Sequence, residues 1–194
     1  QLVHKVGKWV RKDCPSKLDG RYETLAEDTD GALWLIERYG QRRAYRVKYD
    51  EINNVTQIVL YGTTEGLSPV ISIFRIQDQL IFFTEEGPME FDRETKVFQR
   101  LNLPGFPEYG IVSLVEGPNG SLCLGRESEG RRWFELLTPT DSAGYVRDSL
   151  SLSKLNNLEV WGKLYTEPDG RIWIGSSEGL YCYDVGNANI DQIM

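Results

Sequence analysis

The chain has 194 residues, 40% of them hydrophobic and 26% charged, and carries a formal net charge of −7. Ordinary globular composition at this length excludes a disordered chain and allows one large domain or two small ones around a sizeable core. The acidic balance argues against a nucleic-acid binder, which needs a basic face, and no apolar run approaches the ~20 residues of a membrane helix.

In chain order, the opening segment from Leu2 to Arg11 reads as a strand. Leu25 then precedes the turn Asp30-Gly31, and Leu33-Trp34-Leu35 follows it. The same pattern returns as Ile73, Asp78-Gln79 and Ile81-Phe82-Phe83, and again as Leu114, Asn119-Gly120 and Leu122-Cys123-Leu124. A last copy runs Leu164, Asp169-Gly170 and Ile172-Trp173-Ile174. Taking the second turn residue as zero places the copies at 31, 79, 120 and 170, with spacings of 48, 41 and 50 residues. A glycine follows each copy, at Gly40, Gly87, Gly130 and Gly179.

Each column has a physical meaning. Asp-Gly and Asn-Gly between apolar runs tolerate the positive φ of a tight hairpin turn. Three consecutive apolar residues after that turn mean a strand covered on both faces. The later glycine marks a second turn, and the alternation of Leu180, Tyr181 and Tyr183 suits a third strand. Segments such as Lys96 to Leu101 supply a fourth. Each repeat therefore predicts a four-stranded antiparallel meander, and a meander buried on both faces needs a neighbour on each side. Radial stacking of blades meets that need, so the expected fold class is all-β, a partial β-propeller or small ring of about four blades. The repeats are expected near 22–62, 70–103, 111–140 and 160–185 within one domain spanning 1–194, with 139–157 as an inserted loop.

The last repeat ends at Tyr183-Asp184 with a short tail, so its fourth strand is expected to be missing there. Either the opening segment completes that blade and closes a small ring, or it belongs to a preceding blade and the chain forms an open arc. An open arc exposes a blade face and favours self-association.

Other residue counts close off chemistry. His4 is the sole histidine, so a catalytic triad or a histidine-based metal site would have to recruit the chain end. Cys14, Cys123 and Cys182 are far apart with no CxxC, which disfavours zinc; a Cys123–Cys182 bridge depends on strand alignment that spacing does not fix. No metal site or cofactor is expected.

The segments Glu27-Asp-Thr-Asp-Gly-Ala-Leu-Trp-Leu35 and Glu167-Pro-Asp-Gly-Arg-Ile-Trp-Ile-Gly-Ser-Ser-Glu-Gly-Leu-Tyr-Cys-Tyr-Asp184 resemble the two-component regulator propeller repeat. The second repeat keeps the Gly and Phe-Asp of that pattern without its Trp, and the third has Cys123 in place of Trp. The resemblance implies a non-catalytic, ligand-sensing module of a two-component sensor on the periplasmic or extracellular side of a bacterial membrane. It also implies a possible oligosaccharide ligand, and the remainder of a sensor kinase chain as partner. The resemblance further implies a ring of about seven repeats, within the usual range of propellers, so this chain is expected to be a fragment of a longer sensor, and the open arc is favoured. A scaffold propeller that binds another protein and no small molecule is the alternative. A calcium-dependent lactonase-like enzyme would need a converging acidic and Asn set that the sequence does not show.

Binding residues concentrate on the loops at one end of such a stack. Arg38, Tyr39, Tyr109 and Arg126 are the candidate ligand contacts there. Glu85-Glu86 and the run Arg126 to Glu129 are placed in loops between second and third strands. Arg131-Arg132-Trp133 is the dense basic and aromatic cluster. Trp34, Phe82, Cys123 and Trp173 form one column expected to be buried between blades.

Overall fold

The structure is a computed structural model that describes residues 2–5, 8–11, 18, 20–51, 54–141, 144–148, 164–176, 178–187 and 189–193. After a hairpin of β1 (Leu2–Lys5) and β2 (Lys8–Arg11), sixteen strands form four four-stranded antiparallel sheets. Blade 1 holds β3 (Tyr22–Glu27), β4 (Leu33–Glu37), β5 (Ala44–Tyr49) and β6 (Val55–Tyr61). Blade 2 holds β7 (Val70–Ile76), β8 (Gln79–Thr84), β9 (Gly87–Phe91) and β10 (Phe98–Arg100). Blade 3 holds β11 (Ile111–Glu116), β12 (Leu122–Ser128), β13 (Arg131–Pro139) and β14 (Tyr145–Asp148). Blade 4 holds β15 (Leu164–Thr166), β16 (Arg171–Ser176), β17 (Gly179–Asp184) and β18 (Asn189–Gln192). Within each blade the strands follow one another in sequence order. The first strands β3, β7, β11 and β15 lie side by side on the inner edge. This is the all-β, propeller-type stack that the repeat predicts.

Two expectations about the chain ends are corrected. The last blade has its own fourth strand, because β18 pairs with β17 in the register Tyr181↔Gln192. The opening segment is not one strand but a hairpin that pairs with itself, Trp9 opposite His4. It therefore does not complete blade 4. Residues 145–148, inside the stretch expected as an inserted loop, form the outer strand of blade 3. Residues 149–157 of that loop, the expected repeat start near 160, and Cys14 lie outside the described residues.

The core consists of the interfaces between blades. Trp34 and Ile36 of β4 meet Phe82, Met89 and Phe98 of blade 2. Ile81 and Phe83 of β8 meet Leu122 and Leu124 of β12. Cys123 and Phe134 of blade 3 meet Ile172, Ile174, Tyr181 and Tyr183 of blade 4. Strand alternation explains the scheme, since neighbouring residues on one strand point to opposite faces.

Blade 2 departs from the expected alignment by one residue. Its first hairpin closes through Gln77-Asp78, not Asp78-Gln79, and Ile76 pairs directly with Gln79. Both turn residues have positive φ, 48° and 63°, as a primed two-residue turn requires. The other blades instead use longer turns, with Glu27 opposite Leu33, Glu116 opposite Leu122 and Thr166 opposite Ile172. The blade 3 turn coils into a single 3-10 turn over Pro118–Gly120. A one-residue slip exchanges the faces of a strand. Phe82 thus faces back toward blade 1, while Trp34 and Cys123 face forward to the next blade.

The fourth member of the column differs as well. Trp173 is only half-buried, because it points to the face of blade 4 turned away from blade 3. Cys123 and Cys182 are both free thiols: Cys123 lies in the blade 3–4 interface and Cys182 sits opposite Trp173 on that outer face. Burial pushes the Cys123 thiol up to about 12, so it stays protonated and inert.

Trp34 anchors the blade 1–2 interface. It is 1% exposed and packs on Tyr61, Phe82, Phe91 and Phe98 with ring centroids 4.9–5.9 Å away. Its indole Nε1–H donates to Asp28 Oδ2 at 3.2 Å, tying the hairpin turn to the core. Trp34→Ala is expected to cost about 3–5 kcal/mol, the range for removing a large buried aromatic. Trp173→Ala should cost clearly less, since its face of blade 4 remains partly exposed. Urea unfolding of both variants checks this, and equal losses would contradict the packing scheme.

Candidate functional site

The inner strands carry a repeated irregularity. The ladder between first and second strands slips between Tyr22 and Thr24, between Val70 and Ser72, and between Ile111 and Ser113. The residues left unpaired are Glu23, Ile71 and Val112. Such bulges bend a strand and re-aim its side chains. All three line a groove of about 510 Å³ along the inner edge of the blades. Leu25 and Ser113 also line it, so the wall is mixed apolar and hydroxyl.

Arg42 closes one side of that groove. Its backbone carbonyl accepts from Val70 N–H at 3.0 Å. Its guanidinium donates to the carbonyls of Val70 and Ile71 at 2.6 and 2.9 Å and pairs with Glu23. One side chain thereby fixes blade 1 to the bulge of blade 2. Sequence reasoning missed Arg42 and the bulges. A signal existed for the bulges: Glu23, Ile71 and Val112 stand at one offset from the assigned turn positions.

The four sequence candidates sit at the end of the stack where second strands finish and first strands begin. At that end, in blades 1 to 3, a residue at or just past the end of the second strand is held to the segment entering the first. Arg38 N–H donates to Arg21 O, Glu85 N–H to Pro69 O and Glu127 N–H to Gly110 O, at 2.8, 3.2 and 2.7 Å. Arg38 and Tyr39 follow β4, with the Arg38 guanidinium 5.4 Å from the Tyr39 ring centroid. Tyr39 is 61% exposed and Tyr109 67% exposed, so both rings present a free face. Below the first pair, Glu37 accepts from Arg43 at 2.8 Å and from the Tyr45 hydroxyl at 2.9 Å. The Arg43 hydrogen bond holds the Glu37 carboxyl below its usual range, outweighing the opposing effect of burial.

Arg126 is not a loop residue. It lies within β12 opposite Trp133, because the β12–β13 hairpin extends to the two-residue turn Glu129-Gly130. Its side chain is buried, paired with Glu135 at 3.0 Å and donating to Tyr109 O at 2.9 Å. The guanidinium lies 5.8 Å from the Tyr109 ring and 5.1 Å from the Trp133 ring. Trp133 Nε1–H in turn donates to Glu135 at 2.9 Å. The basic and aromatic cluster therefore includes an internal network, and Arg126 supports the exposed Tyr109 rather than facing solvent. Arg38–Tyr39 and Tyr109–Arg126 are thus two separate pairs on blades 1 and 3, joined by no hydrogen bond or ring contact among the described residues. None of the four lines the groove.

No family model matches the chain, and no curated protein matches it. Solved structures do. The extracellular domain assigned to the hybrid two-component system BT4673 of B. thetaiotaomicron superposes with TM-score 0.64 at 19% identity, over 100% of this chain and 25% of that one. The corresponding domain of BT3049 from the same organism gives 0.60 at 18% identity, over 94% and 25%. Virginiamycin B lyase from Staphylococcus aureus, a catalytically inactive variant with quinupristin, gives 0.56 at 14% identity, over 93% and 57%. At these identities the likeness establishes the fold, a β-propeller-type stack. The chain spans about a quarter of the length of the two-component sensor domains it matches.

Arg126→Met is expected to cost about 3–5 kcal/mol in urea unfolding, because it leaves Glu135 buried without its partner. Adding Glu135→Leu to the same chain should recover most of that loss. A loss below about 1 kcal/mol for Arg126→Met would show a solvated guanidinium free to meet a ligand.

Proposed function

We propose that the chain is a ligand-sensing, non-catalytic segment of the extracytoplasmic propeller of a two-component signalling protein. The observation that carries this reading is the match over 94–100% of the chain to extracellular domains of two such systems. Their TM-scores exceed those of the lyase and of a gluconolactonase from Xanthomonas campestris, the latter at 0.55. The sole histidine of the chain also lies in β1, outside all four blades. The remainder of the sensor chain is the expected partner, and the periplasmic or extracellular side of a bacterial membrane the expected place. No described helix is long and apolar enough to cross a membrane.

The exposed rings of Tyr39 and Tyr109 at one end of the stack suit the apolar faces of sugar rings. Arg38, beside Tyr39, supplies donors for hydroxyl or carboxylate groups. An oligosaccharide is the ligand class this pairing serves. A second reading, a protein-binding propeller that also self-associates, is favoured by the outer face of blade 4. There Tyr165 is 61% exposed, Ile193 is 50% exposed and Trp173 is half-buried.

Thermal unfolding against an oligosaccharide panel tests the first reading. A specific ligand at about 100-fold its Kd should stabilise the chain by about 2.7 kcal/mol. Tyr109→Ala and Tyr39→Ala should each reduce that shift. Absence of any shift, together with concentration-dependent dimers that Trp173→Asp abolishes, would replace it with the protein-binding reading. Turnover of a lactone substrate would overturn both.

A further inference from the structure

At the opposite end of blades 1 and 2, where first strands finish, a second cavity of about 280 Å³ opens between the two sheets. Tyr61 of β6 and Phe91 of β9 are among its apolar lining residues, and their rings meet edge to face at 5.0 Å. Arg46, Lys48, Arg93 and Lys96 all line it. Two carboxylates oppose these four cations. Asp28 pairs with Arg46 and Arg93, and Asp30 pairs with Arg46 and Lys48. Burial raises the Asp30 carboxyl, but hydrogen bonds from Arg46, Ala32 N–H and Lys48 outweigh it and hold it at about 2. Both carboxylates are therefore already committed to ion pairs, and four cations against two carboxylates leave the cavity an excess of positive charge within a chain of net charge −7.

One cation there remains unpaired. The Arg46 guanidinium is committed to Asp28 and Asp30 and lies 5.6 Å from the Trp34 ring and 5.8 Å from the Phe91 ring. Lys96 sits in the turn after β9 with φ of 60° and makes no ion pair among the described residues. An unpaired cation beside an apolar wall attracts an anion with an apolar body, the charge through Coulomb attraction and the body through burial. The volume matches the lower end of small-ligand sites.

The geometry points to an anion-binding site for a small carboxylate with an aromatic or apolar body. The carboxylate pairs with Lys96 in the positive field of Arg46, Lys48 and Arg93, and the body packs on Tyr61 and Phe91. The site lies at the other end of the blades from Tyr39 and Tyr109, so it stands independently of the sensor reading.

Calorimetric titration of the intact chain with phenylacetate tests the site. Saturable binding is expected, weakened at least tenfold by Lys96→Gln, retained by Lys96→Arg, and weakened by added salt. Phenylethanol, which lacks the charge, and acetate, which lacks the ring, should each bind at least tenfold more weakly than phenylacetate. Lys96→Gln is a surface change, so its melting temperature should match that of the unaltered chain. No heat of binding at 10 mM phenylacetate, or equal affinity in Lys96→Gln, would overturn the proposal.

Discussion

The stack depends on one constraint: the second strand of each blade is apolar on both faces, so no blade can be dry alone. Ile81 and Phe82 fall in different interfaces, as do Leu122 and Cys123, while Trp34 and Ile36 share the interface between blades 1 and 2. A sheet of this kind gains its stability from the neighbour it touches, much as repeat proteins gain theirs from adjacent units. The interfaces are not equal. The blade 1–2 interface is aromatic, with Trp34 hydrogen-bonded to a buried turn carboxylate. The blade 3–4 interface substitutes Cys123 for that indole, and Tyr181 and Tyr183 from the other side occupy the space.

The same constraint shapes the two ends of the blades. At the end where first strands begin, backbone donors at the ends of β4, β8 and β12 are bound to the incoming segment. Loop backbones are held there while Tyr39 and Tyr109 remain exposed. Rigid backbone with exposed rings lowers the ordering cost of binding. At the other end, the acidic turn residues are consumed by Arg46, Lys48 and Arg93. The acidity of the blade 1 turn is thus neutralised locally, and residual positive charge collects between blades 1 and 2.

Much of this was legible in the sequence. Leu33-Trp34-Leu35 and its equivalents marked the central strands because consecutive apolar residues have no other ready explanation in short segments. The third-strand glycines were legible because positive φ is needed there, as at Gly40, Gly87, Gly130 and Gly179. Blade 2 was misaligned because Gln77-Asp78 adopts a primed turn without any glycine to announce it. Arg126 was read as a loop residue because a charged run before Gly130 resembles a loop; only the paired register with Trp133 and Glu135 shows a strand that buries it. The strand β18 was missed because Asn189-Ile-Asp-Gln192 carries one apolar residue, and an outer strand with solvent beside it has little pattern to display.

The bulges give the final step. A regular inner strand would present residues to the groove in simple alternation, and pairing would flatten it against its neighbour. An unpaired residue at the same offset in blades 1, 2 and 3 breaks that alternation at one level of the stack. The side chains at that level are Glu23, Ile71 and Val112, chemically unlike one another. Core columns stay apolar because burial demands it, as at Trp34, Phe82 and Cys123. A column that keeps its backbone irregularity while varying its side chain is instead a place where the fold supplies position and leaves chemistry free. Arg42, bonded to the bulge carbonyl of Ile71 and paired with Glu23, shows how that freedom is used in this chain to lock one blade to the next.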